Sequence, residues 1–252
     1  MDLVDDVGGI RGFANFWRRS MVRIRRKRSP IKSGRRAWAG QGACLSLRIS
    51  YSKFISWKES TMEDTTMSRK NFGAKPYSFP QPVFIIASYD ENGIPCAMNA
   101  AWCGISEATE VTMCISPGHK STKNILSKKA FTISMADAKH VAECDYFGIA
   151  TGNKVKNKLE AAGMTVTKSE NVDAPIINEL AVCMECKLIF YNPETCIMKG
   201  EIVNVSVDES AMTDGKVDVS KVAPITFDPF NNAYHVVGEK VGDAWGSGKK
   251  FM

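Results

Sequence analysis

The stretch from Pro82 to Thr122, PVFIIASYDENGIPCAMNAAWCGISEATEVTMCISPGHKST, constrains the fold of this chain more than any other. Val83 to Tyr89 is an apolar, strand-forming run, and Asp90-Glu91-Asn92-Gly93 supplies hairpin turn chemistry after it. Ile94 to Trp102 continues as a second strand, whose small residues Ala97, Ala100 and Ala101 leave room for something flat to lie against the backbone. Val111 to Ser116 reads as a further strand, broken by Ser116-Pro117-Gly118. His119-Lys120-Ser121-Thr122 then opens a helix predicted to run to about Lys129. A helix that opens with a hydroxyl cap and two basic side chains is a natural seat for a phosphate, because its first N–H groups point outward unpaired.

The remaining chain keeps to short elements. Ala130 to Ala136 (AFTISMA) alternates well enough for a barrel wall, and Lys139 to Phe147 is predicted helical, ending at Gly148. Asn153 to Ala162 is predicted as another helix, with Gly163 as its C-terminal signal. Leu180 to Tyr191 is a long strand, and a turn at Asn192-Pro193-Glu194 joins it to a hairpin partner from Cys196 to Asp208. Asp208 to Lys221 is polar and reads as a mobile loop; Pro224 to Phe227 and Asn232 to Gly238 close the domain as strands. Strands paired by tight turns, with short helices inserted, predict a mainly β, antiparallel barrel and not a parallel α/β sheet. No GxGxxG follows the first strand, so a doubly wound nucleotide-binding fold is not expected.

In order, spacing and residue types, the Pro82–Thr122 stretch resembles the flavin reductase family that binds FMN on a split β-barrel, the flavoredoxin-like proteins included. The resemblance runs through residues 76–240. HKSTKNI resembles the family's phosphate-binding turn, and FTISMA the strand that passes beside the cofactor. TGNKVKNKLEAAGMT resembles its Ser-Gly, Asp-Lys-Phe and Ala-Gly-Leu-Thr pattern, with Thr151-Gly152 and Lys158 at matching positions and Asn157 in place of the usual acid. APIINELAVCMECKLIFY resembles its Ala-Pro-Leu-Ile segment and the strand ending in Glu-Cys. The fold implied is an antiparallel Greek-key split barrel.

The resemblance also implies a site. Met98, Asn99, Ala100, Ala101 and Trp102 would line the isoalloxazine ring. Ser116, Pro117, His119, Lys120, Ser121 and Thr122 would surround the phosphate, Ser134 and Met135 would pass beside the cofactor, and Lys158 would belong to the same site. His235, in AYHVVGE, would sit on a late strand returning to the flavin, where it positions a nicotinamide, supplies a proton or is merely structural. Taken singly, each residue has a plainer reading: Trp102 as a core or interface aromatic, Asn99 as a strand-end residue, Ser121 as a helix cap. It is their combination that favours a flavin. Cys183-Met184-Glu185-Cys186 has the CxxC spacing of zinc and redox sites. On a strand, however, residues three apart point to opposite faces, and no second Cys/His pair follows, so no metal site is expected. His140 reads as a surface residue of a polar helix.

The formal charge of +6 invites a nucleic-acid reading, but it is unevenly spread. Residues 1–61 hold 14 of the 33 Lys and Arg and 4 of the 27 Asp and Glu, whereas residues 62–252 carry a net charge of −4. The basic segment has scattered tryptophans (Trp17, Trp38, Trp57) and no sustained period. A nucleic-acid tail and a transit peptide are alternative readings of it. Lys58-Glu59 can be encoded AAG-GAG, a bacterial ribosome-binding sequence, two codons before Met62. The expectation is therefore a non-native or disordered leader over 1–61, a natural start at Met62 or Met67, and one functional domain over 62–252 that binds no nucleic acid. Eight cysteines lie mostly within apolar runs and no signal peptide precedes them, which fits a reducing cytoplasm better than a secreted disulfide scaffold. No run of about 18 apolar residues predicts a membrane span.

The function implied by the resemblance is hydride transfer from NADH or NADPH to FMN, in a homodimer. The reduced flavin would be used in place or handed to a partner such as a monooxygenase. A flavoredoxin-like electron carrier, exchanging electrons with ferredoxin-type partners without using NAD(P)H, is the nearest rival. A non-redox split-barrel binding module is the second.

Overall fold

Residues 68–252 are described in this computed structural model; the expected leader over 1–61 and the starts at Met62 and Met67 lie outside the described residues. The first half of the chain contains β1 (Gln81–Pro82), β2 (Phe84–Tyr89), β3 (Pro95–Ala100), β4 (Cys103–Glu107), β5 (Glu110–Cys114), helix α1 (Lys120–Lys128), β6 (Ala130–Met135) and α2 (Val141–Ile149). The second half adds α3 (Lys158–Ala161), β7 (Val166–Lys168), β8 (Pro175–Ile177), the long hairpin β9 (Val182–Asn192) and β10 (Ile197–Val207), β11 (Met212–Thr213) and β12 (Lys216–Val217). It ends with α4 (Val219–Val222), β13 (Ile225–Asp228) and β14 (Ala233–Val236).

Seven strands form one antiparallel sheet in the order β3-β2-β6-β9-β10-β5-β4. The sheet curls on itself, but β3 and β4 remain its two edges, so the barrel is split, as the sequence resemblance implied. β2 and β6 are buried on both faces along all but their last residue, so the alternation of apolar and polar residues in β6 does not separate a buried face from an exposed one. Phe84 and Ile86 point into the curl with Val111, Met113, Phe131, Ile133 and Met198. Ile85 and Ala87 point the other way, onto α2, α3 and β8 through Cys144, Phe147, Leu159 and Ile177. At one point the inner core touches bare backbone. A Cβ on Gly200 would lie 2.4 Å from Phe131 Cζ, so only glycine lets the ring pack there. A smaller sheet, β1-β13-β14, carries the late strand on which His235 lies.

The β2–β3 turn forms as its sequence predicts. Asp90 Oδ1 accepts from the N–H groups of Asn92 and Ile94, each at 2.9 Å, and Gly93 takes the left-handed φ of +78°. Behind the sheet, Glu185 is 2% exposed on β9 and accepts hydrogen bonds from the Ser169 hydroxyl and from the Asn171 and Asn204 amides. Burial alone would raise its pKa; those donors outweigh it and hold the carboxyl below its usual value.

Three expectations change. The helix predicted over 153–162 shrinks to α3, because Asn157 at φ +54° interrupts the helical path and Thr151 O ties back the N–H groups of Lys154 and Val155 as a turn. The loop predicted over 208–221 is ordered: Asp208 caps a 3-10 turn, β11 and β12 pair, and Asp218 caps α4. His140 is not a surface helix residue. It precedes α2 with its ring 2.9 Å from buried Asp137, whose carboxylate also accepts its backbone N–H.

Candidate functional site

β3 is an edge strand, so alternate residues keep N–H and C=O groups that no neighbouring strand can pair. The carbonyl of Ala97 is one of these, since it accepts instead from the Lys158 ammonium at 3.0 Å. By the two-residue repeat of an antiparallel strand, the backbone groups of Asn99 lie along the same open edge. Met98, Ala100, Ala101 and Trp102 are all half-buried there, and beyond Ala100 the chain turns away toward β4. The corner is held by a hydrogen bond from Cys114 N–H to Trp102 O at 2.9 Å, which places Trp102 beside the strand end that leads into Ser116.

The start of α1 packs directly against this hairpin. Lys120 reaches back to Asp90 in the β2–β3 turn, Nζ to Oδ2 at 3.0 Å, and the buried Ser121 side chain lies beside the buried Cys96 thiol. Burial would raise the Asp90 carboxyl; the backbone N–H groups of Ile94 and Asn92 and the Lys120 ammonium bring it below its ordinary value. The expected hydroxyl cap is not formed. His119 occupies the N-cap position without a side-chain cap bond, while Thr122 donates its hydroxyl to Ser116 O at 2.8 Å and is fully buried. Ser121 and Thr122 thus act within the protein, and what this turn offers outward is the His119 ring, the Ser116–Pro117–Gly118 loop and the first-turn amides of α1.

A third segment closes on the first two. Asn153 donates its amide to Gly118 O at 2.9 Å, and a Cβ on Gly152 would lie 2.8 Å from Cys96 Sγ and 3.3 Å from Lys120 Cβ. Lys158 is 2% exposed, its ammonium held by Ala97 O and by Phe147 O at 2.8 Å. Burial pushes its pKa down. Burial, and then the Lys158 charge, pull His119 below the ordinary histidine value, although His119 keeps an exposed edge. Burial also raises the Cys96 thiol, against the opposing pull of Lys158, Lys120 and Ser121. Positive charge and open N–H groups therefore gather at one end of the β3 edge.

Two residues that sequence reasoning missed complete the surroundings. Tyr234 on β14 donates its hydroxyl to Asp145 Oδ1 of α2 at 2.8 Å and lies beside the Asn99 side chain. The Asn99 amide also donates to Cys144 O at 3.1 Å. Burial first, and then Asp145, raise the Tyr234 hydroxyl well above its usual range. β14 does return to this site, but strand alternation sends its neighbour the other way. His235 is mostly exposed, with its ring 3.4 Å from Asp228. Ser134 is fully buried on β6, opposite Ile85 and Cys183, and Met135 packs into the inner core; β2 stands between them and the β3 edge. The structure therefore brings together Met98–Trp102, Ser116–Thr122 and Lys158, and sets Ser134, Met135 and His235 apart from them. Cys183 and Cys186 are both buried free thiols, and no group of three or more His, Cys, Asp or Glu is placed to hold a metal among the described residues. No helix among the described residues is long and apolar enough to cross a membrane.

Comparison with known proteins identifies the family and the fold. The family model described as "Flavin reductase like domain" matches residues 77–226. The flavoredoxin of Desulfovibrio vulgaris (Miyazaki F) superposes with a TM-score of 0.69 at 34% identity, over 72% of this chain and 100% of that one. The flavoredoxin of Methanosarcina acetivorans gives 0.67 at 23% identity, over 74% and 100%. An FMN-binding domain of a flavin reductase-like enzyme from Shewanella baltica gives 0.59 at 17% identity, over 65% and 90%. At these last two identities the likeness is one of fold.

Proposed function

Because the chain belongs to the flavin reductase-like domain family, we propose that it binds FMN along the open edge of β3 and uses it for redox chemistry with NADH or NADPH as electron donor. The observation that carries the proposal is the convergence of three segments: the unpaired edge of β3, the amide-rich start of α1 and the buried ammonium of Lys158. The residues present fit such a ligand. The phosphate would meet the first-turn amides of α1 and His119, where a helix start favours negative charge. The ring would lie over Met98 to Ala101, against Trp102, with Asn99 N–H and C=O facing its polar edge. Lys158 takes the Ala97 carbonyl and so fixes the height of the strand beneath the ring.

Acceptance of a hydride from the nicotinamide is the chemistry that FMN supplies when bound. The chain's own work is to bind, orient and exclude water. Ser121 and Thr122 lock the turn from inside, and Asn99, Asp145 and Tyr234 clamp α2 against the edge strand. Ser134 and Met135 face away from the β3 edge across β2, and His235 turns to Asp228. A homodimer, and a partner such as a monooxygenase that consumes reduced flavin, belong to the same proposal.

The likeness to a flavoredoxin at 34% identity supports a second reading, an FMN electron carrier that does not use nicotinamide. One experiment separates them. FMN is added to the purified protein, and the flavin absorbance is followed anaerobically as NADH and then NADPH is supplied. Bleaching by either nucleotide supports the reductase; a bound flavin bleached only by dithionite supports the carrier; no flavin binding removes both.

A further inference from the structure

Residues 68–79 interleave cations and aromatic rings and contain no acid: Arg69, Lys70 and Lys75 with Phe72, Tyr77 and Phe79. In the fold these rings join a fourth, Phe230 of the β13–β14 turn, in one continuous row. Phe72 meets Tyr77 edge-on at 5.9 Å between ring centres, and Tyr77 lies 4.4 Å from Phe230. Phe79 stacks on Phe230 at 5.2 Å with 14° between the ring planes, and the Lys70 ammonium sits 5.5 Å over Phe72. The row is no core, since Phe72, Phe79 and Phe230 are 55%, 53% and 42% exposed. It is nevertheless held in place. The buried Asp228 carboxylate accepts from Phe230 N–H and from the Asn231 amide, each at 2.8 Å, and so fixes the turn that presents Phe230. Open rings on a fixed backbone mark a contact surface.

Chemistry and position say what this surface takes. Arg69, Lys70 and Lys75 make no ion pair among the described residues, so flat apolar faces stand beside unneutralised positive charge. Aromatic faces take a base by stacking, and cations take its phosphates. The row also leads to the candidate flavin edge. β1 pairs with β13, runs on toward β2 and lies against β4. Phe84, opposite Ala100 at the end of β3, follows Phe79 by five residues, at most about 17 Å of extended chain. The hairpin that presents Phe230 also places Tyr234 beside Asn99. A dinucleotide spans an interval of that order.

We propose that the row Tyr77–Phe230–Phe79, with Lys70 and Lys75 beside it, holds the adenosine diphosphate half of the nicotinamide donor. The adenine stacks on the open rings and the pyrophosphate meets the lysines, while the nicotinamide extends to Met98–Trp102. The proposal rests on the nicotinamide reading above and adds where the part of the donor remote from the chemistry is anchored. Anchoring of that kind acts on KM, because it is made equally before and during hydride transfer.

The test begins with calorimetric titration of ADP into the full chain saturated with FMN, which keeps ADP off the start of α1. The variants are Phe79→Ala/Phe230→Ala and Lys70→Gln/Lys75→Gln, each checked for unchanged circular dichroism and FMN affinity. Saturable one-to-one binding is expected, weakened about tenfold in the aromatic variant and about threefold or more in the lysine variant. Anaerobic flavin reduction is then followed with NADH and with reduced nicotinamide mononucleotide, which lacks the ADP half. The aromatic variant is expected to raise the KM for NADH about tenfold and to leave reduction by the mononucleotide unchanged. Should that variant fail to fold, the lysine pair, exposed on the surface, carries the same comparison. No saturable ADP binding overturns the row, and with NADH still bleaching the flavin it leaves the reductase reading standing. Equal losses with both donors overturn it too, since the rings would then act through the fold. ADP bound by a protein whose flavin no nicotinamide reduces overturns the assignment to the donor together with that reading. A sedimentation coefficient that changes in the aromatic variant gives the row to a second copy of the chain instead.

Discussion

Replacing Lys158 with methionine is expected to destabilise the domain by about 2–4 kcal/mol, even though methionine preserves most of the buried stem. The Lys158 ammonium is 2% exposed and donates to two backbone carbonyls, Ala97 O at 3.0 Å and Phe147 O at 2.8 Å. Hydrogen bonds from a charged donor contribute about 1.5–3 kcal/mol each, but stripping water from an ammonium costs several kcal/mol, so the gain and the penalty largely cancel. The variant loses the penalty as well as the bonds, and what remains is two buried carbonyls without a donor, at about 1–3 kcal/mol each. In thermal unfolding this corresponds to a fall of roughly 5–15 °C for a domain of this size. The pH dependence carries the sign. Burial lowers the Lys158 pKa below its unfolded value of 10.5, so the unfolded chain binds the proton more tightly. Wild-type stability therefore gains from this group as pH rises from the folded value toward 10.5, a gain absent from the variant. Urea denaturation at pH 7 and pH 10 measures both effects. A loss smaller than about 1 kcal/mol, with no difference in pH slope, would mean that the two carbonyls find water and that Lys158 does not brace β3.

Gly200→Ala is expected to cost about 1–3 kcal/mol or more from the clash with the Phe131 ring, and Phe131→Leu in the same chain should return part of it in denaturation midpoints. Glu185→Gln should lose about 1–3 kcal/mol at neutral pH. Because the folded pKa of Glu185 lies below its ordinary 4.5, its stabilisation is complete above that value and is lost as pH falls through the folded value; the gap between wild type and variant should then close on acidification in urea titrations. His119→Ala should weaken FMN binding about threefold to tenfold while leaving riboflavin binding, which involves no phosphate, unchanged by fluorescence titration.

Much of the fold was legible because its signals are local. The Asp90–Gly93 turn, the Asn192–Glu194 turn and the apolar runs between them place the hairpins within a residue or two of where they form. The misreadings occur where a single backbone position overrides composition. Asn157 adopts a left-handed conformation that asparagine tolerates but does not require, which shortens α3, and Asp208 and Asp218 cap turns in a segment whose polarity reads as loop. The site divides along the same line. Met98–Trp102 and His119–Thr122 are contiguous motifs and could be read directly. The Tyr234–Asp145 contact joins positions 89 residues apart, and strand alternation, which selects Tyr234 over His235, depends on a register that only the folded sheet sets. Ser121 and Thr122 were visible as residues, but not as inward-facing ones.

The most direct test of the account is a side-by-side equilibrium titration of the protein with FMN and riboflavin, followed by quenching of flavin fluorescence. The proposed seat at the start of α1 predicts saturable one-to-one FMN binding, tighter than riboflavin by about tenfold or more, which is about 1.4 kcal/mol for the phosphate. Equal affinity for the two ligands, or no saturable binding of FMN, would contradict it.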